Sequence, residues 1–363
     1  MEIGIIGLPN SGKSTLFKAL TGNDVVINLF PFSTVNPNIG VVHVPDERLE
    51  ILSKFIKPTK TIPTSIKFID LAGLVKNAHK GEGLGNKFLS ETRRADGLLE
   101  VVRCFEEKNV PHVEGNIDPV RDIEIIHIEI ALSDFEIVEK NFEKIDHAYR
   151  SGNKELKLEF EALSFAKENL KKGVWLNEIN YPSEFNEIYK KYNLLTIKPL
   201  IIIANVGDED IFNGESENFK KLKEYSQNKK YKLLKVSLKI ELELSEMEEE
   251  ERKEFLKELN LKERVLDTII KESYKILDLI TFFTYANNIV QAWSIKRGTN
   301  VKEAAGKIHS DFEKGFVKAE VFNIEDLKKV NSLNELREKG LIKIEGKEYI
   351  VKDGDVIYYK INI

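Results

Sequence analysis

The chain has 363 residues, 42% of them hydrophobic and 32% charged. That length fits two or three domains, and that apolar share can bury real cores, which excludes disorder as the general state. With 55 basic against 60 acidic residues the net charge is −5, so a basic nucleic-acid coat over the whole chain is excluded, though a local basic face is not. The single cysteine, Cys104, excludes an intramolecular disulfide and a Cys-based zinc site and suits a reducing compartment.

Met1 to Gly7 lacks the basic and long apolar regions of a signal peptide. The longest apolar runs, such as Leu200 to Ala204, fall far short of the roughly 20 residues a membrane span needs. The expectation is a soluble cytoplasmic protein with no membrane partner.

In chain order, Glu2 to Ile6 reads as a buried strand and Lys13 to Leu20 as a helix. Val41 to Val44, Ser65 to Ile69, Leu98 to Cys104 and Pro199 to Ala204 read as further strands. Strands alternating with helices predict a mostly parallel sheet covered on both faces. Between the last two runs, Phe135, Val138, Phe142, Ile145 and Tyr149 recur at helical spacing, followed by the turn Ser151-Gly152-Asn153. Leu156, Phe160, Leu163, Ala166 and Leu170 continue the pattern, which predicts an antiparallel helical hairpin inserted into the α/β domain.

A Glu-rich run at Met247 to Glu251 opens a helical pattern that reaches about Leu279, and acidic groups suit a helix start. From about Ile280 the pattern turns to short β-like runs: Gln291 to Ile295, Phe316 to Phe322, Leu341 to Ile344, Tyr349 to Val351 and Val356 to Ile361. One helical stretch, Val301 to Phe312, lies among them, so the tail reads as a small α+β domain. From Thr281 on there are 14 Lys and Arg against 12 Asp and Glu, a net of +2, so the rest carries −7.

The chemistry starts at Gly7-Leu8-Pro9-Asn10-Ser11-Gly12-Lys13-Ser14, which fits G-x-x-x-x-G-K-[ST] between a strand and a helix. Glycines let the backbone wrap a phosphate with successive N–H groups pointing inward, and the helix that follows offers its positive end. The segment Asn10 to Thr15 is therefore the candidate phosphate cradle, with Lys13 reaching the β/γ-phosphates and Ser14 ligating Mg²⁺. Asp70, in Asp70-Leu71-Ala72-Gly73, ends a predicted strand 57 residues after Lys13 and supplies the acidic element of that magnesium site. Gly73 can give a bare backbone N–H to the γ-phosphate. Thr34, in the loop before the Val41 strand, can complete the metal shell through its hydroxyl, so that loop order reports the γ-phosphate. For the base, Asn205-Val206-Gly207-Asp208 gives N-x-x-D after a strand, and Ser237-Leu238-Lys239 fits a second base-side loop.

These residues resemble the YchF, or Obg-like, ATPase family of the translation-factor-related P-loop class. Asn28 to Thr34 is similar to the family's N-x-P-F-x-T switch with one extra residue, and Asp70 to Val75 with Gly81 to Leu89 looks like its second switch. Val102-Arg103-Cys104-Phe105 and Asp118-Pro119-Val120-Arg121-Asp122 match too. The resemblance covers nearly the whole chain. It implies an α/β fold: a P-loop NTPase domain with an inserted antiparallel helical hairpin (a coiled coil) and a C-terminal β-grasp, or TGS, domain. The expected boundaries are 1–128 with 178–279 for the discontinuous nucleotide domain, 129–177 for the hairpin and 280–363 for the TGS domain. Asp353-Gly354-Asp355-Val356 suits the last TGS hairpin.

The resemblance also implies ATP as the preferred nucleotide and ribosomes or RNA as partners, with no sequence-specific DNA binding. Val206 stands where GTP binders carry Lys, while Asp208 stands where the family usually has Glu and is still able to grip guanine. Leu74 replaces the Gln that orients water in many GTPases, so His79 is the nearest candidate for that role. A lone loop histidine is more often merely solvated, and the other five histidines have no comparable context. An Asn10 carbonyl can help hold a monovalent cation such as K⁺, or the side chain simply contacts backbone. The expected function is a slow ATP-hydrolysing switch, with a nucleotide-gated adaptor and a GTPase of the same architecture as alternatives.

Overall fold

The apolar runs of the first 240 residues assemble into one six-stranded sheet in the computed structural model, which describes residues 1–22, 38–71, 84–258, 261 and 263–362. Its strands are β1 (Glu2–Ile6), β2 (Asn38–His43), β4 (Ser65–Asp70), β5 (Gly97–Arg103), β6 (Leu200–Asn205) and β7 (Lys232–Val236), in the order β2-β4-β1-β5-β6-β7. From β4 to β7 every neighbouring pair is parallel. All residues of β5 and β6 are buried, as strands covered on both faces must be. The strand order reverses beside β1, and the crevice at the carboxyl end of such a switch point is where open α/β sheets bind ligands.

Among the described residues this first unit comprises Met1–Val41 and Lys67–Leu266. Helices α1 (Lys13–Thr21), α3 (Leu84–Arg94), α6 (Phe185–Lys191), α7 (Asp208–Phe212), α8 (Glu217–Lys229) and α9 (Leu238–Glu246) connect its strands. The expected hairpin is α4 (Pro119–Arg150) and α5 (Lys157–Leu170). Asp118 caps α4 by accepting from Arg121 N at 3.2 Å, and Pro119 opens the helix where its missing N–H costs nothing. Towards the turn Phe160 stacks between Phe142 and Tyr149, at 5.5 and 4.8 Å. The root of α4 is different. Ile123, Ile126 and Ile130 belong to the main core with Leu98 and Ile202, so α4 is a core helix for its first turns. The helical stretch expected from Met247 to Leu279 is two helices, α10 (Glu249–Glu258) and α11 (Val265–Ile276), and Leu279 already begins a strand.

The second unit comprises Val42–Ile66 and Asp267–Ile363. It holds a sheet of β3 (Lys60–Ile62), β8 (Leu279–Ala286), β9 (Ile289–Lys296), β10 (Phe316–Asn323), β11 (Lys343–Glu345) and β12 (Asp355–Ile361), in the order β11-β10-β12-β8-β9-β3. β12 and β8 are parallel at the centre while β8–β9 and β10–β12 are antiparallel, which is the β-grasp pattern. One face packs on α12 (Val301–Ile308) through Phe282, Ile295, Val301 and Ala304. The predicted helix Val301 to Phe312 breaks at His309, whose extended backbone separates α12 from α13 (Ser310–Lys314). α14 (Leu333–Glu338) lies between β10 and β11. The run Tyr349 to Val351 forms only one isolated bridge, Ile350 with Asn300.

Here the expected boundaries need correcting. Residues 42–66, assigned from sequence to the nucleotide domain, belong to this unit. Helix α2 (Glu47–Ile56) buries Leu49 and Leu52 against Phe283, Val290 and Phe322 on the other sheet face. β3 adds itself to β9 by parallel pairing. Arg48 reaches Asp353 at 2.9 Å and lies over the Phe283 ring. Burial of two leucines and a strand pairing decide the segment's place.

The unit that carries β6 also holds a buried lysine. Lys198 Nζ donates to the carbonyls of Thr92, Arg93 (2.6 Å) and Ala95, and so caps the last turn of α3. Arg93 holds the same turn to α4 through Asp134 at 2.6 Å and Ser133 at 2.8 Å. Burial, with the Arg93 charge, pulls the Lys198 ammonium down to about 8 against the partial opposition of Asp96 and Asp134. Lys198→Met removes the cap from three carbonyls and is expected to cost about 1–3 kcal/mol at pH 7. The folded pKa lies below the ordinary 10.5, so the unfolded chain binds more protons between pH 8 and 10.5. The group's contribution therefore rises with pH in that window, by at most about 1.4 kcal/mol per unit. Chemical denaturation of parent and variant from pH 7 to 10 should show the stability gap widening. A gap that is constant or narrows contradicts the assignment.

Candidate functional site

The loop from Gly7 to Gly12 leaves β1 and enters α1 at the switch point of the sheet. It is tight. Gly7 and Gly12 sit at φ of 151° and 108°, and Asn10 at 64°. A Cβ on Gly7 would meet the Val101 carbonyl at 2.5 Å, and one on Gly12 would meet Asn205 Nδ2 at 2.4 Å. The two glycines are thus required both by conformation and by space. Leu16 N donates to Gly12 O at 2.9 Å, so the first N–H groups of α1 remain free at the loop.

Lys13 lies inside the loop rather than out in solvent. It is 7% exposed, and its Nζ donates to the Leu8 carbonyl at 2.8 Å. Burial lowers its pKa to about 8, with the Asp70 charge pulling the other way. The Ser14 hydroxyl donates to Asp70 Oδ2 at 3.0 Å, so these two predicted metal ligands stand together. Burial raises the Asp70 carboxyl, partly offset by Ser14, the Lys13 charge and Asn38. A serine hydroxyl beside a carboxylate is the hard-oxygen donor set that Mg²⁺ accepts, completed by waters and phosphate. Thr15 is half-buried on α1.

On the base side, Asn205 ends β6 and ties two loops together. Its Nδ2 donates to Ser11 O at 2.9 Å, and its Oδ1 accepts from Leu238 N at 3.3 Å. Ser237 donates to Asp208 Oδ1 at 2.7 Å and caps α9 by accepting from Ile240 N. Lys239 Nζ meets Asp208 Oδ2 at 3.0 Å. Burial pushes the Asp208 carboxyl up, but Ser237 and Lys239 together outweigh it and hold it below the usual carboxylate range.

The Val206 side chain, at the position where GTP binders carry Lys, is 2% exposed and packed in the main core. The Asn10 amide nitrogen donates to the Pro111 carbonyl at 3.1 Å. Thr34 lies in residues 23–37, and Gly73, Leu74 and His79 lie in residues 72–83, all outside the described residues.

The structure also adds residues. Arg103, at the end of β5, donates to the carbonyls of Phe105, Glu107 and Val110 and stacks over Phe105 at 4.5 Å. It shapes the segment that Asn10 touches. An arginine closing a largely apolar strand is the available signal. His112 pairs with Asp122 at 2.7 Å, and His127 with Glu100 at 2.9 Å, both buried, although neither histidine stood out in the sequence.

The chain resembles known proteins along its whole length. Residues 2–138 match the family model described as "50S ribosome-binding GTPase", and residues 279–362 match YchF-GTPase_C, described as a protein of unknown function. "Ribosome-binding ATPase YchF" of Bacillus subtilis (strain 168) is 43% identical over 100% of both chains. The protein of that name from Mycoplasma genitalium is 45% identical, again over 100% of both. The solved Schizosaccharomyces pombe YchF GTPase superposes with a TM-score of 0.85 at 33% identity, covering 99% of this chain and 97% of that one.

Because Asn205 holds both the loop and α9, Asn205→Ala should weaken ATP and GTP alike, by about 10–100-fold. Equilibrium titration of the folded variant checks this. A loss confined to one nucleotide would mean that the amide reads the base and does not hold the loop.

Proposed function

The chain belongs to the YchF family, a family of nucleotide hydrolases, and on that premise we propose that it is an Mg²⁺-dependent ATP-driven switch that works with ribosomes in the cytoplasm. One observation carries the reading: Lys13, Ser14, Asp70 and Asn205 converge on a loop whose glycines cannot be replaced without a clash. The relatives named ribosome-binding supply the partner. Among the described residues no helix is long and apolar enough to cross a membrane.

The backbone N–H groups of residues 10–15 and the start of α1 receive the β-phosphate. Lys13 leaves the Leu8 carbonyl for the β/γ-phosphates, where its protonated form is favoured. Ser14, Asp70 and Thr34 would hold a Mg²⁺ ion. That ion would supply positive charge against the triphosphate. Gly73 N–H meets the γ-phosphate, so the segments at Thr34 and at 73–88 order with ATP and release after hydrolysis. His79 positions the attacking water in place of the Gln that Leu74 replaces. The hairpin and the C-terminal unit face the ribosome or RNA. Leu74 also favours a second reading, an adaptor gated by nucleotide whose own turnover is incidental.

Lys13→Ala should abolish tight ATP binding in calorimetry, since among the described residues Lys13 is the cation held within the phosphate loop. In the parent protein, ATP should bind at least tenfold tighter than GTP, a gap of about 1.4 kcal/mol. Asp208 already has a partner on each oxygen, and Val206 stands where GTP binders carry Lys. An unchanged affinity for Lys13→Ala sinks the site assignment, and equal affinities sink the base preference.

His79→Ala should lower single-turnover hydrolysis by roughly 10–10³-fold while ATP affinity stays near the parent value, because a water-orienting group acts in the transition state. Hydrolysis at the parent rate would move the role to backbone or to a partner and favour the adaptor.

A further inference from the structure

Behind the phosphate loop, on the side turned toward the sheet, two buried polar atoms have no hydrogen-bond partner among the described residues. They are Ser11 Oγ and Glu100 Oε1. Glu100 sits midway along β5 and is fully buried. Its other oxygen is held by His127 Nε2 at 2.9 Å. His127 in turn stacks on Trp175 at 4.1 Å, and the Trp175 N–H donates to the His127 carbonyl at 2.9 Å. The carboxylate is therefore fixed in place by the root of α4.

Ser11 is 3% exposed. Its hydroxyl lies 2.7 Å from where a Cβ on Gly7 would stand, so it uses the space that glycine leaves and points away from the phosphate face. Both residues line one small cavity of about 10 Å³, together with Arg103, His112, Asp122 and Ile126. That is close to the roughly 10–15 Å³ one water needs. Native structures rarely leave a buried polar side-chain atom without a partner, and two on one cavity call for a common one. A carboxylate oxygen only accepts, whereas a serine hydroxyl both donates and accepts, so the shared partner must bring a hydrogen to Glu100.

We propose that a single internal water occupies this cavity, donating to Glu100 Oε1 and bonded to Ser11 Oγ, and that Glu100 is thereby a positioning residue for the phosphate loop. The strut runs from loop to β5 and on through His127 to the hairpin root. The proposal rests on the loop holding the nucleotide.

The test has two arms on the full chain. A crystal structure at about 1.5 Å should show one water within hydrogen-bond distance of both atoms. A dry cavity, a metal ion, or a direct bond between Ser11 and Glu100 would overturn the proposal. In the second arm, Ser11→Ala and Glu100→Leu should each weaken ATP binding by about three- to tenfold, and the double variant no more than either alone. For Glu100→Leu, turnover at saturating ATP should stay near the parent rate, and Glu100→Gln should recover most of the affinity. Should Glu100→Leu fail to fold, the cycle is run with Ser11→Ala and Glu100→Ala. Additive losses, or parent affinity in the single variants, overturn the positioning role. Lys13→Ala is the control: if it leaves ATP binding intact, the loop assignment itself has failed. If Lys13→Ala abolishes binding while the Ser11 and Glu100 variants match the parent, only this proposal has.

Discussion

The phosphate loop keeps its shape because the Asn205 carboxamide occupies the space that Gly12 leaves free. The amide nitrogen stands where a Cβ would collide, at 2.4 Å, and donates to the carbonyl of Ser11, the residue before Gly12. Its oxygen takes the N–H of Leu238 at the start of α9. One side chain at the end of β6 thereby sets the loop after β1 and the loop after β7. The parallel register from β1 through β5 to β6 delivers it there. A loop held this way has its N–H groups aligned before any ligand arrives, so less ordering opposes binding.

Electrostatics follow from that enclosure. Lys13 and Asp70 are both drawn toward neutrality by burial, the lysine to about 8 and the carboxyl upward. Each only partly relieves the other. A triphosphate brings the negative charge Lys13 lacks, which is how a poorly solvated cation becomes a strong anion site. Asp208 is the opposite case, since Ser237 and Lys239 keep it ionised at the base side. The two ends of the site thus differ in how each is satisfied before a ligand enters.

How much was legible follows from the range of each signal. The G-x-x-x-x-G-K-S run is local, and the loop formed as its glycines require. Asp70, Asn205 and Ser237 were found because each ends or follows an apolar strand. Residues 42–66 were misassigned because a three-residue strand gives no pattern of its own, and its partner β9 begins more than 220 residues later. The hairpin seam was readable from its aromatic spacing. That α4 starts inside the main core was not, because helical periodicity is the same in a core helix and a hairpin. Glu100, His127 and Lys198 escaped notice since a charged residue in an apolar run looks like an exception until its buried partner is seen. Val206 was read as a missing contact, yet its side chain faces the core.

The central claim is that the Gly7–Gly12 loop, Asn205 and the Ser237–Lys239 segment form one nucleotide site. Amide hydrogen exchange on the intact protein, with and without ATP and Mg²⁺, tests it most directly. The account predicts added protection at residues 10–16 together with 205–208 and 237–240, arising at the same ATP concentration. Protection elsewhere in the chain with none at these three segments would contradict it.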